Sequence, residues 1–163
     1  MGNSMKLLID ADGCPVVDIA VRLARQHSIE CLILCDTAHE FNKEGARTIT
    51  VSKGADSVDF ALVNLVQKGD IVVTQDYGLA AMCLARGAVP INQNGLIYTN
   101  DNIDALLHQR HAAQKIRRGV STPQSLRASR GPRERLKGPS KRGTEQDRAF
   151  ESALTAILER TIE

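Results

Sequence analysis

Aromatic residues are scarce in this 163-residue chain, which has no tryptophan, two tyrosines and three phenylalanines. Its core must therefore be built from Val, Ile, Leu and Ala, and any contact with nucleic acid would lean on charge and backbone rather than base stacking. Cysteine pairs are missing too. Cys14, Cys31, Cys35 and Cys83 form no CxxC motif and no spacing suited to zinc. They read as small buried hydrophobes in reduced form, which fits a cytoplasmic protein. No apolar run approaches the roughly 18 residues of a membrane span. The first residues lack the basic start and apolar stretch of a secretory signal. Met1–Ser4 precede a second methionine, Met5, and read as an extension outside the fold.

What is present is ordinary in amount and unusual in distribution. Hydrophobic residues make up 42% of the chain and charged residues 25%, so one globular domain with a real core is expected. The net charge of +2 hides a split. Residues 1–107 carry 8 Lys/Arg against 13 Asp/Glu, a net of −5, whereas residues 108–163 carry 13 against 6, a net of +7. An acidic body with a basic tail points to a polyanionic partner.

Apolar runs alternate with amphipathic segments. MKLLI, CLILC, ARTITV, IVVT and AVPI read as strands, and LIY as a brief sixth. PVVDIAVRLARQH reads as a helix with Pro15 in its first turn and Cys14 as its N-cap. DSVDFALVNLVQ carries apolar residues at 58, 62, 65 and 66, with Phe60, Ala61 and Val63 widening the stripe. YGLAAMCLARG gives a third helix, and a fourth starts at Asn100 with Ile103, Leu106 and Leu107 inward. Strand–helix alternation with near-continuous apolar strands predicts an α/β three-layer sandwich around a mostly parallel central sheet. The expected organisation is an α/β domain over 5–118, a basic flexible segment over 119–143 and a C-terminal helix over 144–161 packed on the core. TEQD resembles a capping box at the start of that last helix, with Phe150, Ala153, Leu154, Ile157 and Leu158 on its inner face.

The chemistry-bearing residues are acids at strand ends. Asp10 and Asp12 follow KLLI, Asp76 follows IVVTQ, and Asp56 and Asp59 open the helix between them. Strand ends on one edge of a parallel sheet meet in space. Carboxylates gathered there repel one another unless a cation neutralises them. Mg²⁺ fits, because it takes a few carboxylates and keeps waters for a substrate phosphate. Asp56 and Asp76 equally suit helix N-caps. Asp10 and Asp12 do not, because Pro15 leaves both in the strand-to-helix turn. Asp70 lies at the other end of its strand and reads as a turn residue, and Asp36 is a weaker candidate at a strand end.

DADGCPV, GADSVDFALVN, KGDIVVTQDYGLA and GPSKRGTEQDRAF closely resemble the YaiI/YqxD family of uncharacterised bacterial proteins, over nearly the whole chain. That family is grouped with PIN-like domains, whose better-known members are metal-dependent ribonucleases. The resemblance implies that Asp10 is the first PIN acid, Asp59 the helix acid before a later strand, and Asp76 the acid of a T-x-D motif. Two positions depart from the pattern. The acid of an early helix has no clear match, with Glu40 and Glu44 near its place, and Asp12 stands where a small polar residue is common.

The implied activity is hydrolysis of RNA phosphodiester bonds assisted by Mg²⁺ or Mn²⁺. Asp10 and Asp76 would be the main ligands, Asp12, Asp56 and Asp59 further ligands or acceptors around them, and Thr74 would orient Asp76 or a phosphate oxygen. Arg110, Lys115, Arg117, Arg118, Arg133, Lys141 and Arg142 would grip the nucleic-acid backbone. Two alternatives stand beside it. One is a non-catalytic nucleic-acid binder using the basic tail. The other is a phosphatase of the haloacid dehalogenase class, whose opening hhhDxDG motif would make Asp10 the nucleophile and Asp12 the acid. His108 and His111, three apart on a helix, read as a polar face rather than a metal pair.

Overall fold

The computed structural model describes residues 4–36, 43–52, 57–119 and 142–162. Five strands form one sheet: β1 (Lys6–Asp10), β2 (Glu30–Asp36), β3 (Arg47–Val51), β4 (Ile71–Val73) and β5 (Val89–Ile91). Every pairing between these strands is parallel, and their order is β3-β2-β1-β4-β5. LIY adds only an isolated antiparallel bridge between Ile91 and Ile97. The chain first winds outward from β1 through β2 to β3. It then returns across the sheet to β4, on the other side of β1. β1 and β4 are thus the neighbours between which the winding reverses, and the crevice beyond their carboxyl ends is where such sheets hold ligands.

Alternation along β1 explains the layers. Leu7 and Ile9 face one side and Leu8 the other, all fully buried. On the first side lie α1 (Val17–Gln26) and α5 (Thr144–Ile162). Val17, Ala20, Val21 and Ala24 of α1 and Phe150, Leu154 and Leu158 of α5 share one core cluster there. On the second side lie α2 (Ser57–Leu65) and α3 (Tyr77–Ala85), where Leu62, Leu79 and Cys83 cover Leu8, Leu34 and Val72. α4 (Asn100–Gly119) packs on α3, with Ile103 buried against Ala80 and Tyr98 and with Leu106 and Leu107 partly covered. The architecture is the expected three-layer α/β sandwich. The cysteines are free, with Cys31, Cys35 and Cys83 buried and Cys14 half-buried. No helix among the described residues is long and apolar enough to cross a membrane.

Three local expectations need correction. Pro15 does not sit in the first turn of α1. The helix starts at Val17 with Val16 as an N-cap lacking a side-chain bond, because a turn closed by Cys14 N–H on the Ala11 carbonyl (3.0 Å) intervenes. Phe60 does not widen the buried stripe of α2 and is 63% exposed. Leu62 and Val66 already face the sheet, and Phe60 falls on the opposite side of the helix. The capping box of α5 is displaced by one residue. Gln146, not Asp147, reaches back to accept from the Gly143 N–H at 2.8 Å, which frees Asp147 to pair with Arg142. The segment 120–141, with Arg133 and Lys141, and Asp56, His39 and Glu40 lie outside the described residues.

Candidate active site at the carboxyl edge

Asp10 is the last residue of β1, and Thr74 follows β4 directly. Both continue the alternation of Leu8 and Val72, so both face the side covered by α2 and α3. They meet across the reversal point, with the Thr74 hydroxyl donating to Asp10 Oδ2 at 2.9 Å. Thr74 is 1% exposed and has a second bond, accepting the Asp76 N–H on Oγ1 at 3.0 Å. Because that lone pair is already taken by a donor, the hydroxyl proton is directed at Asp10. Thr74 therefore orients Asp10 with its side chain and the Asp76 backbone with its oxygen.

Asp76 realises its capping alternative. Its Oδ1 accepts from the N–H groups of Gly78 (2.8 Å) and Leu79 (3.2 Å) at the start of α3. Capping holds the Asp76 carboxylate within electrostatic reach of Asp10 rather than turning it away. The Asp10 carboxyl is pushed up from 3.8 to about 6, first by burial and then by Asp59, Asp12 and Asp76, against the lowering effect of the Thr74 bond. The same neighbourhood is felt from α3, where the Cys83 thiol is pushed up to about 12 by burial and then by Asp59 and Asp10. Asp12 lies in the turn after β1, toward β2. The buried Cys35 thiol there is raised by burial and then by Asp12 and Asp36. Four acids from three stretches of the chain are thus brought to one edge, all of them half-buried.

The turn that carries Asp12 is fixed from outside. Gly13 adopts φ +73°, which favours glycine, and its carbonyl accepts from Gln75 Nε2 at 2.9 Å. Gln75 and Tyr98 are contributors that sequence reasoning missed. The Tyr98 hydroxyl donates to the Thr74 carbonyl at 3.4 Å, and its ring meets Tyr77 edge-on at 6.0 Å. That the chain's two tyrosines flank the T-x-D turn was a signal available in the sequence, but only once β5 is known to return beside β4.

The donor set suits a hard cation in chemistry, since every member is a carboxylate. It does not form a closed cage. Among the described residues no three His, Cys, Asp or Glu side chains come together as a ready ligand group. Glu44 lies on the outer side of α1, beside Arg22, Arg25 and Lys43, and does not supply the missing helix acid. Of the basic candidates, Arg110, Lys115, Arg117 and Arg118 belong to α4, but their side chains lie outside the described set, as does that of His111. His108 is exposed on α4. Arg142 is described, and it is engaged within the chain.

A profile of the "Uncharacterized BCR, YaiI/YqxD family" matches residues 8–160. The chain belongs to that family. Among its YaiI/YqxD relatives, a UPF0178 protein of Exiguobacterium sibiricum is 52% identical over 154 residues, covering 94% of this chain and 96% of that protein. UPF0178 proteins of Ruminiclostridium cellulolyticum and Clostridium acetobutylicum are 48% and 46% identical, covering 94% and 96% of this chain and 92% and 98% of their own lengths. No solved structure matches this YaiI/YqxD chain.

Proposed function

We propose that the carboxyl edge is an open divalent-cation site and that the protein is a Mg²⁺- or Mn²⁺-dependent nuclease hydrolysing RNA phosphodiester bonds, as its PIN-like resemblance implies. The observation that carries this reading is Asp10. It stands at the reversal point of the sheet, is held by a buried hydroxyl, and is raised to about 6 by burial and by three other acids. Such an arrangement costs the fold stability, and cation binding would return it. Mg²⁺ needs only one or two protein carboxylates and completes its shell with water and phosphate, so it does not require a three-donor cage among the described residues.

Asp10 and Asp59 would hold the ion, with Asp12 and Asp76 adding negative charge around it. A bound cation would supply a Lewis acid for phosphoryl oxygens. Thr74 orients Asp10 by occupying Oδ2, which fixes the direction of Oδ1. Gln75 holds the Gly13 carbonyl and with it the turn that presents Asp12. The basic residues of α4 and of the tail, whose charge is opposite to that of the acidic body, would raise the local concentration of RNA.

The test is a Mg²⁺ or Mn²⁺ titration of single-stranded RNA cleavage by the wild type, Asp10→Asn and Asp76→Asn. The expected result is cation-dependent cleavage lost by at least a hundred-fold in Asp10→Asn. Cleavage that survives both substitutions excludes this site. RNA binding without cleavage in any of the three proteins makes it a binding module instead. Trapping of a metal fluoride on Asp10 with a phosphomonoester substrate would identify the phosphatase chemistry.

A further inference from the structure

The described residues include one arginine fixed at the carboxyl edge by three acceptors. Arg142 Nε donates to Asp147 Oδ1 at 2.6 Å and Nη1 to Asn94 Oδ1 at 2.7 Å, while Nη2 donates to the Gln93 carbonyl. Gln93 and Asn94 lie in the turn after β5, beyond Asn92. The Ile91 carbonyl at the end of that strand accepts the Thr74 N–H at 3.0 Å, so the loop stands level with the acid site. The same loop lies hard against α5. Gly95 has φ +87°, and a Cβ there would come within 2.5 Å of the Ala149 carbonyl. Arg142 is thus held at the sheet edge by a loop and a helix that cannot separate without losing this contact.

We propose that Arg142 is a phosphate-binding residue that holds the sugar–phosphate backbone of RNA beside the acid site, across the β1–α1 turn. The inference rests on the reading that the substrate is RNA. A guanidinium has five N–H donors in a rigid fork. The described residues engage it through three bonds, and the side chain keeps 20% of its surface exposed. Its rotamer freedom is already lost in the folded protein, so a phosphate binding there pays little further ordering entropy. The β1–α1 turn carries Asp12, and its Cys14 packs on the same cluster as Phe150 and Leu154 of α5, so the turn borders both the acids and the helix that holds Arg142. A polyanion laid over this edge would meet the cation-neutralised acids on one side of the turn and a fixed positive group on the other.

The competing role is a staple that only docks α5. The two separate in a binding experiment on the full chain. Fluorescein-labelled oligouridylate is titrated by anisotropy in EDTA, at several salt concentrations, on an Asp10→Asn background that removes one acidic charge together with cleavage. Arg142→Gln is expected to weaken binding about ten-fold and to reduce the slope of log K against log salt by about 0.7, the value for one phosphate contact on a single strand. Arg142→Lys keeps the charge, and so the slope, while losing the fork and part of the affinity. Asp147→Asn removes a staple partner and leaves the slope unchanged. A staple alone predicts lower melting temperatures for Arg142→Gln and Asp147→Asn with unchanged slopes, and that result overturns the proposal. So does failure of the Asp10→Asn protein to bind the probe at low salt. Cleavage is scored separately. A slope effect of Arg142 in a protein that never cleaves RNA removes the nuclease reading and keeps this one. Cleavage by the wild type with no slope effect does the reverse.

Discussion

The neighbouring strands β1 and β4 are bridged by an aspartate at each end, and the two bridges are built differently. At the amino ends Asp70, 2% exposed, accepts the Lys6 N–H on Oδ1 (2.9 Å) and the Gln67 N–H on Oδ2 (2.8 Å), and pairs with the Lys6 ammonium at 3.0 Å. At the carboxyl ends Asp10 receives a single neutral hydroxyl from the described residues, with three acids around it. The first carboxylate is supplied with donors and an opposite charge, as a buried ion requires if it serves the fold. The second is supplied with like charge. That contrast separates a residue that holds the sheet together from one whose charge the described residues leave uncompensated.

The largest effect should come from breaking the satisfied bridge. Asp70→Ala leaves the Lys6 ammonium and two backbone N–H groups without their acceptor, and should cost roughly 3–5 kcal/mol in urea unfolding. Asp10→Asn should act in the opposite direction. The folded carboxyl lies near 6 against an ordinary 3.8, so its protonated form is favoured by folding. Its contribution is fully present below about pH 4 and is lost as pH rises through about 6. Without divalent cation at pH 7.5, Asp10→Asn should therefore be more stable than wild type by about 3 kcal/mol, and the difference should vanish toward pH 4. Equal destabilisation by both substitutions, measured by urea unfolding across that pH range in EDTA, would erase the distinction between the two ends of the strand pair.

How far these two aspartates were legible in sequence differs for a physical reason. Apolar runs located β1, β2, β4 and β5, because a parallel strand covered on both faces must be apolar throughout, whereas the half-exposed edge strand β3 was legible only from its β-branched Thr, Ile and Val. The carboxyl-edge position of Asp10 followed from that. Asp70 read as a turn residue because its partners are the Lys6 amide and ammonium, 64 residues away, and no local pattern encodes them. The Thr74–Asp10 bond is equally remote, so the T-x-D resemblance singled out Thr74 and left its direction open. Asp76 was left between cap and site, and it caps α3 while standing within electrostatic reach of Asp10. Phe60 was misread because a helix apolar on several sides has no unique inward stripe, and only packing on Leu8 and Val72 selects Leu62 and Val66.

Thr74→Val should come next in size. It keeps the shape but removes the donor to Asp10 and the acceptor for Asp76 N–H, at about 1–3 kcal/mol in denaturant unfolding. The Asp10 carboxyl should move upward from about 6, because the one described bond favouring its charged form is gone. Thr74→Ser should restore both properties, which Val cannot do by volume alone.

The smallest effect is the sharpest test of whether the acids form one electrostatic group. Asp59 is the largest like-charge contributor at Asp10, ahead of Asp12 and then Asp76. Asp59→Asn should therefore lower the Asp10 carboxyl from about 6, and Asp76→Asn should lower it less. Asn also caps helices well, so the start of α3 should survive the second change. An NMR titration of the Asp10 carboxyl carbon in EDTA reads both shifts against wild type. A wild-type titration that none of Asp59→Asn, Asp12→Asn and Asp76→Asn alters would mean that burial alone raises Asp10, and the contrast with Asp70 would then reduce to solvent access. The ordered response Asp59, Asp12, Asp76 instead identifies a shared negative field, which burial of one residue cannot produce and which a cation at that edge would neutralise at a single point.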